Sequence, residues 1–462
     1  MTNTREAALQ LLLERSLMHQ EVYGSLPKLF LMTFGCQMNL SDGEQIAGMM
    51  KQAGYSLTRE LEEADLVVVH TCGVRAGAET RVMGRIGQLK SLKQQKPHLL
   101  IAVGGCMTQQ PQVAAAIKRV HRHVDLIFGT LNQLDFPQLL VASFEERAPL
   151  VSLQESPGEI EEGLPKVRLE QAKAWVPIMF GCDNFCSYCI VPYLRGRERS
   201  RQPQHIVAEV TALVKDGVVE VTLLGQNVNS YGKGLAGTSF ATLLEQVAAV
   251  PGLKRLRFIT SHPRDMTPEL ITTMATYPNI CHQLHLPLQA GSSRILQLMN
   301  RGYNQEHYLE LVEKLRLAMP NLALTTDIIV AYPGESQEDF AETLKVVAQV
   351  RFDNAFTFLF SPRPGTPAAA LEDAIQPGEK QERMERLMEL VAQIAREKNQ
   401  LLVGTTVEVL VESESKSGAG MLLGRGMDHK VVNFPGSPAL IGTLQQVHLT
   451  AAASHHLLGE LQ

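Results

Sequence analysis

Between residues 174 and 360 one unit recurs: a short apolar run followed by a helical stretch. The runs are Ala174–Phe180, Glu220–Leu224, Arg255–Thr260, Gln283–Leu288, Leu324–Val330 and Asn354–Phe360. Strands spaced by helical stretches of roughly 10–15 residues pair in parallel, because a parallel partner needs a crossover too long for a hairpin. Six such repeats predict a (βα)6 barrel or open part-barrel. The same alternation occurs earlier, at Lys28–Phe34, Asp65–His70 and Leu99–Val103, and predicts a separate parallel α/β domain. Ser41 followed by Glu44 has the spacing of a helix-start capping box, which predicts a turn into a helix through Cys36–Leu40.

The flanks have other textures. Residues 4–22 alternate apolar and charged positions at helical spacing and read as a surface helix. Between Val141 and Pro165, prolines and glycines accumulate and glutamates outnumber the single arginine, Arg147, which predicts a solvated linker. Glu379–Asn399 reads as a long helix. After Gly404, Thr405–Val411, Met421–Leu423, Val431–Phe434 and Leu444–Thr450 alternate between glycine turns, as in a small antiparallel β-barrel. The expected order is a helical extension (1–26), an α/β domain (27–143), a linker (144–167), the part-barrel (168–398) and the small barrel (401–462). Lys and Arg number 43 against 48 Asp and Glu, a net charge of −5. Any nucleic-acid contact must then be local, since the chain lacks a bulk basic excess. No apolar run approaches the roughly 18–20 residues that cross a bilayer, and no secretory segment opens the chain, so a cytoplasmic protein with reduced thiols is expected.

Seven cysteines therefore need a use other than disulfides. Cys182, Cys186 and Cys189 form a C-x3-C-x2-C loop directly after the first barrel strand. Structural zinc takes four ligands, and the next candidate is His205. A 4Fe-4S cluster on three protein thiolates instead leaves one iron open for a ligand. The cluster is the leading reading and zinc the alternative. Cys36, Cys72 and Cys106 lie far apart in sequence, yet each follows a strand and adjoins a glycine: Gly35, Gly73 and Gly105. Parallel α/β sheets open their carboxyl ends onto ligands, so a second three-thiolate cluster is expected, with three unrelated buried thiols as the alternative. Cys281, before His282, is left over as a plain core or surface thiol.

The loop Gly181-Cys182-Asp183-Asn184-Phe185-Cys186-Ser187-Tyr188-Cys189 resembles the signature of the radical S-adenosylmethionine (SAM) enzymes. That resemblance implies that the open iron chelates SAM and that an electron from the cluster cleaves it to a 5′-deoxyadenosyl radical. It sets Tyr188 against the SAM adenine and leaves Gln226, Ser292 and Asp327, near predicted strand ends, as pocket residues unless they are caps or turns. With the dispersed cysteines and the terminal barrel, the chain resembles the methylthiotransferases over nearly its whole length. This implies a second, auxiliary 4Fe-4S cluster on Cys36, Cys72 and Cys106, and SAM as methyl donor and radical source. The small barrel is similar to the RNA-binding TRAM domain around Gly424-Arg425-Gly426 through Phe434, although Gly426-Met427-Asp428-His429-Lys430 stands where that family more often has threonine and asparagine.

The segments Phe34-Gly35-Cys36-Gln37-Met38-Asn39, Ile190 through Arg201, His285 through Ser292 and Phe358 through Pro367 most resemble members acting on tRNA. The implied acceptor is C2 of an isopentenyladenosine beside the anticodon. The implied partners are that tRNA and a low-potential donor such as flavodoxin or ferredoxin, with the protein a monomer. Arg195, Arg197, Arg199 and Arg201 follow the cluster loop and supply a local basic patch suited to phosphates, or ion pairs with the excess carboxylates. Other readings are a threonylcarbamoyladenosine or ribosomal-protein acceptor, and a non-catalytic RNA-binding protein with structural metal sites.

Overall fold

A computed structural model describes residues 4–73, 76–144 and 148–462; Arg147 of the linker lies outside them. The chain divides into two compact units. The first comprises Met1–Leu169, Phe180–Asp183 and Ile190–Arg201, and the second Glu170–Met179, Asn184–Cys189 and Gln202–Gln462.

The first unit is built on a sheet of β1 (Lys28–Thr33), β2 (Ser56–Leu57), β3 (Leu66–Thr71), β4 (Leu100–Gly105), β5 (Leu126–Phe128) and β6 (Leu150–Ser152). Its order is β2-β1-β3-β4-β5-β6 with every pair parallel. Alternate residues feed two cores. Leu66, Val68, Ala102 and Leu126 point into one, and Val67, Val69, Ile101, Val103 and Ile127 into the other. Each large aliphatic withdrawn from water contributes about 1.5–3 kcal/mol, and burial on both faces explains why β3 reads as an unbroken apolar run. The sequence reading found β1, β3 and β4. It missed β2, β5 and β6, whose two or three residues are too short to register a period.

Two expectations need correction. The helix after β1 runs Gln37–Gln52 with Cys36 as its N-cap, so Ser41 and Glu44 lie inside it rather than forming its capping box. Glu44 instead holds the linker: its carbonyl accepts from Val167 N at 2.9 Å and its carboxylate from Leu169 N at 3.1 Å. The linker is accordingly docked rather than solvated there, and its Glu161 and Glu162 pair with Arg5 and Arg201.

In the second unit β7 (Lys173–Pro177) opens the part-barrel; along the chain the short β8 (Met179–Phe180) precedes the cysteine loop and β9 (Arg199–Ser200), of the first unit, follows it. β10 (Glu220–Leu224), β11 (Arg255–Phe258), β12 (Gln283–His285), β13 (Ala323–Val330) and β14 (Asn354–Leu359) follow. The sheets β7-β10-β11 and β12-β13-β14 are parallel and joined by the bridge Leu256 to Ile280, which gives six parallel strands in chain order. The long helix is Pro377–Gln400.

A closed five-stranded barrel ends the chain: β15 (Thr406–Glu414), β16 (Met421–Arg425), β17 (Val431–Pro435), β18 (Leu444–Ala452) and β19 (Leu457–Leu461). β19 is an addition to the expected set and pairs parallel with β17, the one exception to the antiparallel pattern among the described residues. No helix of the described residues is long and apolar enough to cross a membrane.

Candidate metal centres and cofactor site

Cys36, Cys72 and Cys106 stand just past the carboxyl ends of β1, β3 and β4, three neighbouring strands. Side chains tie those ends together. Asn39 Nδ2 donates to Phe34 O at 2.8 Å and Thr71 O at 2.9 Å, and Thr71 Oγ1 donates to Gly104 O at 2.6 Å. Gly35 has φ +113, and a Cβ there would meet Cys72 Cβ at 2.6 Å, so only glycine lets the β1 end pass this thiol. Cys72 and Cys106 are buried and Cys36 is exposed. Burial pushes the Cys106 thiol up to about 11 and Cys36 and Cys72 add to the rise, whereas Arg195 opposes it. Arg195 is itself buried and donates to Asp42 Oδ2 at 2.7 Å and Asn39 Oδ1 at 2.8 Å. His70, fully buried on β3, has Gln133 as a polar side-chain neighbour but no well-formed hydrogen bond, and burial lowers its pKa to about 4. Two buried soft donors and a third at the surface, with a buried imidazole on the same strand end, fit an iron–sulfur group whose sulfides accept hydrogen bonds.

The second thiol set is made locally. In the first unit Cys182 N donates to Gly196 O at 3.1 Å, and Gly181, φ +79, would set a Cβ 2.0 Å from Arg197 O. In the second unit the loop is braced by its neighbours. Ser187 N donates to Met299 O at 3.0 Å, Ser187 Oγ lies 2.9 Å from Leu298 O and from Tyr332 Oη, and Asn300 Nδ2 donates to Phe185 O at 3.1 Å. Phe185 has φ +45, and Thr260, Gln289 and Ala331, past the ends of β11, β12 and β13, also have positive φ. Such strain persists where surrounding contacts over-determine the backbone, which is characteristic of ligand sites. Arg301 Nη1 lies 3.3 Å from Cys186 Sγ.

Among the described residues no three His, Cys, Asp or Glu side chains converge closely enough to hold a single metal ion. Cysteines of a cubane each bind a different iron and ring the cluster rather than meet at a point.

A cluster of orphaned polar atoms lies past the ends of β10 and β11. Asn227 Oδ1, Asn229 Oδ1, Ser261 Oγ and His262 Nε2 are all buried with no hydrogen-bond partner. An unmet buried acceptor or donor costs about 1–3 kcal/mol, so this grouping fits a polar ligand such as SAM at the carboxyl face of the part-barrel. His262 is kept neutral, its pKa lowered to about 2 by burial and by Arg301, Arg264 and Lys233. The sequence reading missed these four residues, although Asn227 and Asn229 flank the Gln226 it did select. Gln226 is half-buried past β10. Asp327 is half-buried on β13, 3.4 Å from His285 Nε2. Tyr188 packs against a cluster containing Ala290, Ile295 and Tyr332, with its hydroxyl 3.4 Å from Arg301 Nη1. Ser292 is a correction. It is buried, caps the helix Ser293–Leu298 and donates to Asp339 Oδ1 at 2.6 Å, and with Arg294 it holds that carboxylate at about 2 against the opposing effect of burial.

Family models match in three places: the Radical SAM superfamily over residues 176–347, the uncharacterized protein family UPF0004 over 28–129, and the TRAM domain over 400–461. The tRNA-2-methylthio-N(6)-dimethylallyladenosine synthase of Moorella thermoacetica is 51% identical over 93% of this chain and 97% of its own length. The chain belongs to that synthase family. The corresponding synthase of Acetivibrio thermocellus is 50% identical over 96% of this chain and 92% of its own. Among solved structures, the radical SAM methyltransferase TsrM from Kitasatospora setae shares the fold at a TM-score of 0.56 and 14% identity, covering 75% of this chain and 77% of that one.

Within this synthase-family chain the arginine run divides. Arg195 and Arg201 are buried, on Asp42 and on Glu162 at 2.6 Å, so neither offers its guanidinium to phosphate. Arg197 is 73% exposed and bonded to Asp183 at 2.7 Å, and Arg199 reaches the Gly158 carbonyl. The altered TRAM turn has a structural use. Arg257 donates to the Met427 and Gly426 carbonyls at 3.0 and 2.7 Å, Lys430 to Asp353 and Asn399 at 2.9 and 2.8 Å, and Cys281 Sγ sits 3.7 Å from Met427 Sδ. Cys281 and Asp353 precede β12 and β14, Arg257 lies on β11 and Asn399 lies in the last turn of the long helix, so the turn docks the small barrel on that side of the part-barrel. Cys281 is a buried packing thiol, as expected.

Proposed function

We propose that this chain converts N6-isopentenyladenosine beside the tRNA anticodon to its 2-methylthio form, with SAM as methyl donor and radical source. The observation that carries the acceptor is the synthase relative, identical at half of the positions over nearly both full lengths. The chemistry is supported by two separate thiol sets in one chain, each at a strand's carboxyl end. Cys36, Cys72 and Cys106 would hold the auxiliary 4Fe-4S cluster, and Cys182, Cys186 and Cys189 the cluster that opens an iron to SAM. When bound, the second cluster supplies the electron that makes SAM a hydrogen-abstracting reagent.

The chain's own groups do the positioning. Asn227, Asn229, Ser261, His262, Gln226, Asp327 and Tyr188 orient SAM, with His262 neutral, its Nδ1 accepting from Arg264 N at 3.2 Å and its Nε2–H left to donate one hydrogen bond. Arg197 and Arg199 supply phosphate contacts that position RNA without reading it. The domain bounds proposed are 27–143 for the auxiliary site, 144–167 for the linker, 168–398 for the radical core and 401–462 for the TRAM region. A flavodoxin- or ferredoxin-like donor, a monomeric state and a cytoplasmic setting complete the reading.

Nucleoside mass spectrometry of tRNA from a deletion strain tests it. The 2-methylthio mark on isopentenyladenosine should vanish and return with this gene. Loss of the mark from threonylcarbamoyladenosine, or from a ribosomal protein, would redirect the acceptor.

A further inference from the structure

Two arginines are buried beside the candidate ligand thiols, and they differ in one respect. Arg195 has the Asp42 carboxylate at 2.7 Å. Arg301, 4% exposed, has no carboxylate partner among the described residues. Its contacts are Cys186 Sγ at 3.3 Å, Tyr188 Oη at 3.4 Å, Tyr303 Oη at 3.1 Å and the Pro287 carbonyl at 3.3 Å. Further titratable neighbours in this corner are Tyr308, Arg264 and His262, the last neutral and edge-on to Tyr303 with centroids 5.6 Å apart. A buried charge left without a counter-ion is destabilising by several kcal/mol. A fold that keeps one in place keeps it for an anion that arrives later.

We infer that Arg301 is the electrostatic partner of the cluster bound through Cys186, and that its N–H···S contact and charge raise that cluster's reduction potential. The inference rests on the two-cluster reading. Reduction adds one electron and one negative charge to the cluster, and a fixed cation at hydrogen-bond distance from a ligating sulfur favours the reduced form. A guanidinium is not deprotonated inside proteins, so Arg301 carries its charge at this contact. No bond is made or broken at Arg301, and the electron comes from the external reductant.

The test is a dithionite titration followed by electron paramagnetic resonance on the full chain with Cys36, Cys72 and Cys106 replaced by alanine, so that one cluster titrates. At fixed potential, R301M should lower the reduced-to-oxidised ratio at least tenfold, which is about 59 mV for a one-electron couple. R301K should stay within threefold of the parent. An unchanged R301M, or an R301K that falls as far as R301M, overturns the inference. A parent chain holding no iron overturns the two-cluster reading itself, and the inference with it. Should only R301M fail to hold iron, melting of the iron-free proteins decides. An uncompensated cation predicts R301M no less stable than the parent, and a lower melting temperature would make Arg301 a structural brace.

Discussion

The two thiol sets solve the same chemical problem by different routes. Cys182, Cys186 and Cys189 sit within eight consecutive residues, and a loop with a left-handed Phe185, pinned by Asn300 and Ser187, fixes their backbone. Cys36, Cys72 and Cys106 have no local motif, and the order β1-β3-β4 makes them neighbours. The electrostatics differ in parallel. The dispersed set has a neutralised pair, Arg195 with Asp42, and the local set has Arg301 without a carboxylate. A neutralised pair holds its own geometry whether or not a cluster is bound. An unpaired cation waits for one. The first site is therefore expected to be the more robust without iron and the second the more responsive to charge.

The sharpest way to break this comparison is to remove one thiol from each set. Anaerobic reconstitution of the parent should give about eight irons per chain from two four-iron clusters. C186A and C106A should each fall to about four, with 5′-deoxyadenosine formation abolished in C186A and retained in C106A. Loss of both clusters from either variant would mean that the sites are not independent. Next in size is the counter-ion. D42N leaves Arg195 buried and unpaired, and should destabilise the iron-free protein by about 3–5 kcal/mol in a denaturant titration. A change under about 1 kcal/mol would remove the distinction from Arg301.

Acid should separate the units more gently. His70 and His262 are buried with pKa values lowered to about 4 and about 2. Below their ordinary pKa near 6.5 the unfolded chain binds protons that the folded chain does not, so stability is full above that point and falls with pH. The slope is about 1.4 kcal/mol per pH unit for each ring; it ends near pH 4 for His70 and continues lower for His262. H70Q should remove about 1.4 kcal/mol per pH unit of slope down to about pH 4 and H262Q the same share throughout the decline, and equal slopes in parent and variants would exclude both rings. The smallest effect concerns RNA. R197A should weaken tRNA binding severalfold and reduce the salt-dependence slope by about 1, as loss of one phosphate contact does. R201A, whose partner is Glu162, should leave that slope alone.

Much of this was legible before the fold. The strand-plus-cysteine placements at 36, 72 and 106 needed only apolar runs and their endings, because buried parallel strands are unbroken apolar segments. What escaped was short or depended on distant partners. β2, β5, β6 and β19 carry too little periodicity. Ser292 looked like a pocket residue because a cap and a ligand contact use the same hydroxyl. The four arginines from 195 to 201 look alike in sequence, and what distinguishes them is Asp42 and Glu162, which lie far from them along the chain.

The sequence by itself determined where the six candidate thiols fall and that two parallel α/β arrangements carry them, because spacing and apolar pattern are local properties of the chain. Only the tertiary structure decided the electrostatics. It buried Arg195 with a carboxylate and Arg301 without one, turned Met427 and Lys430 from an RNA-facing turn into a docking turn, and left Asn227 Oδ1, Asn229 Oδ1, Ser261 Oγ and His262 Nε2 unpartnered. Burial and pairing depend on what the rest of the chain brings alongside a side chain, and no local pattern encodes that.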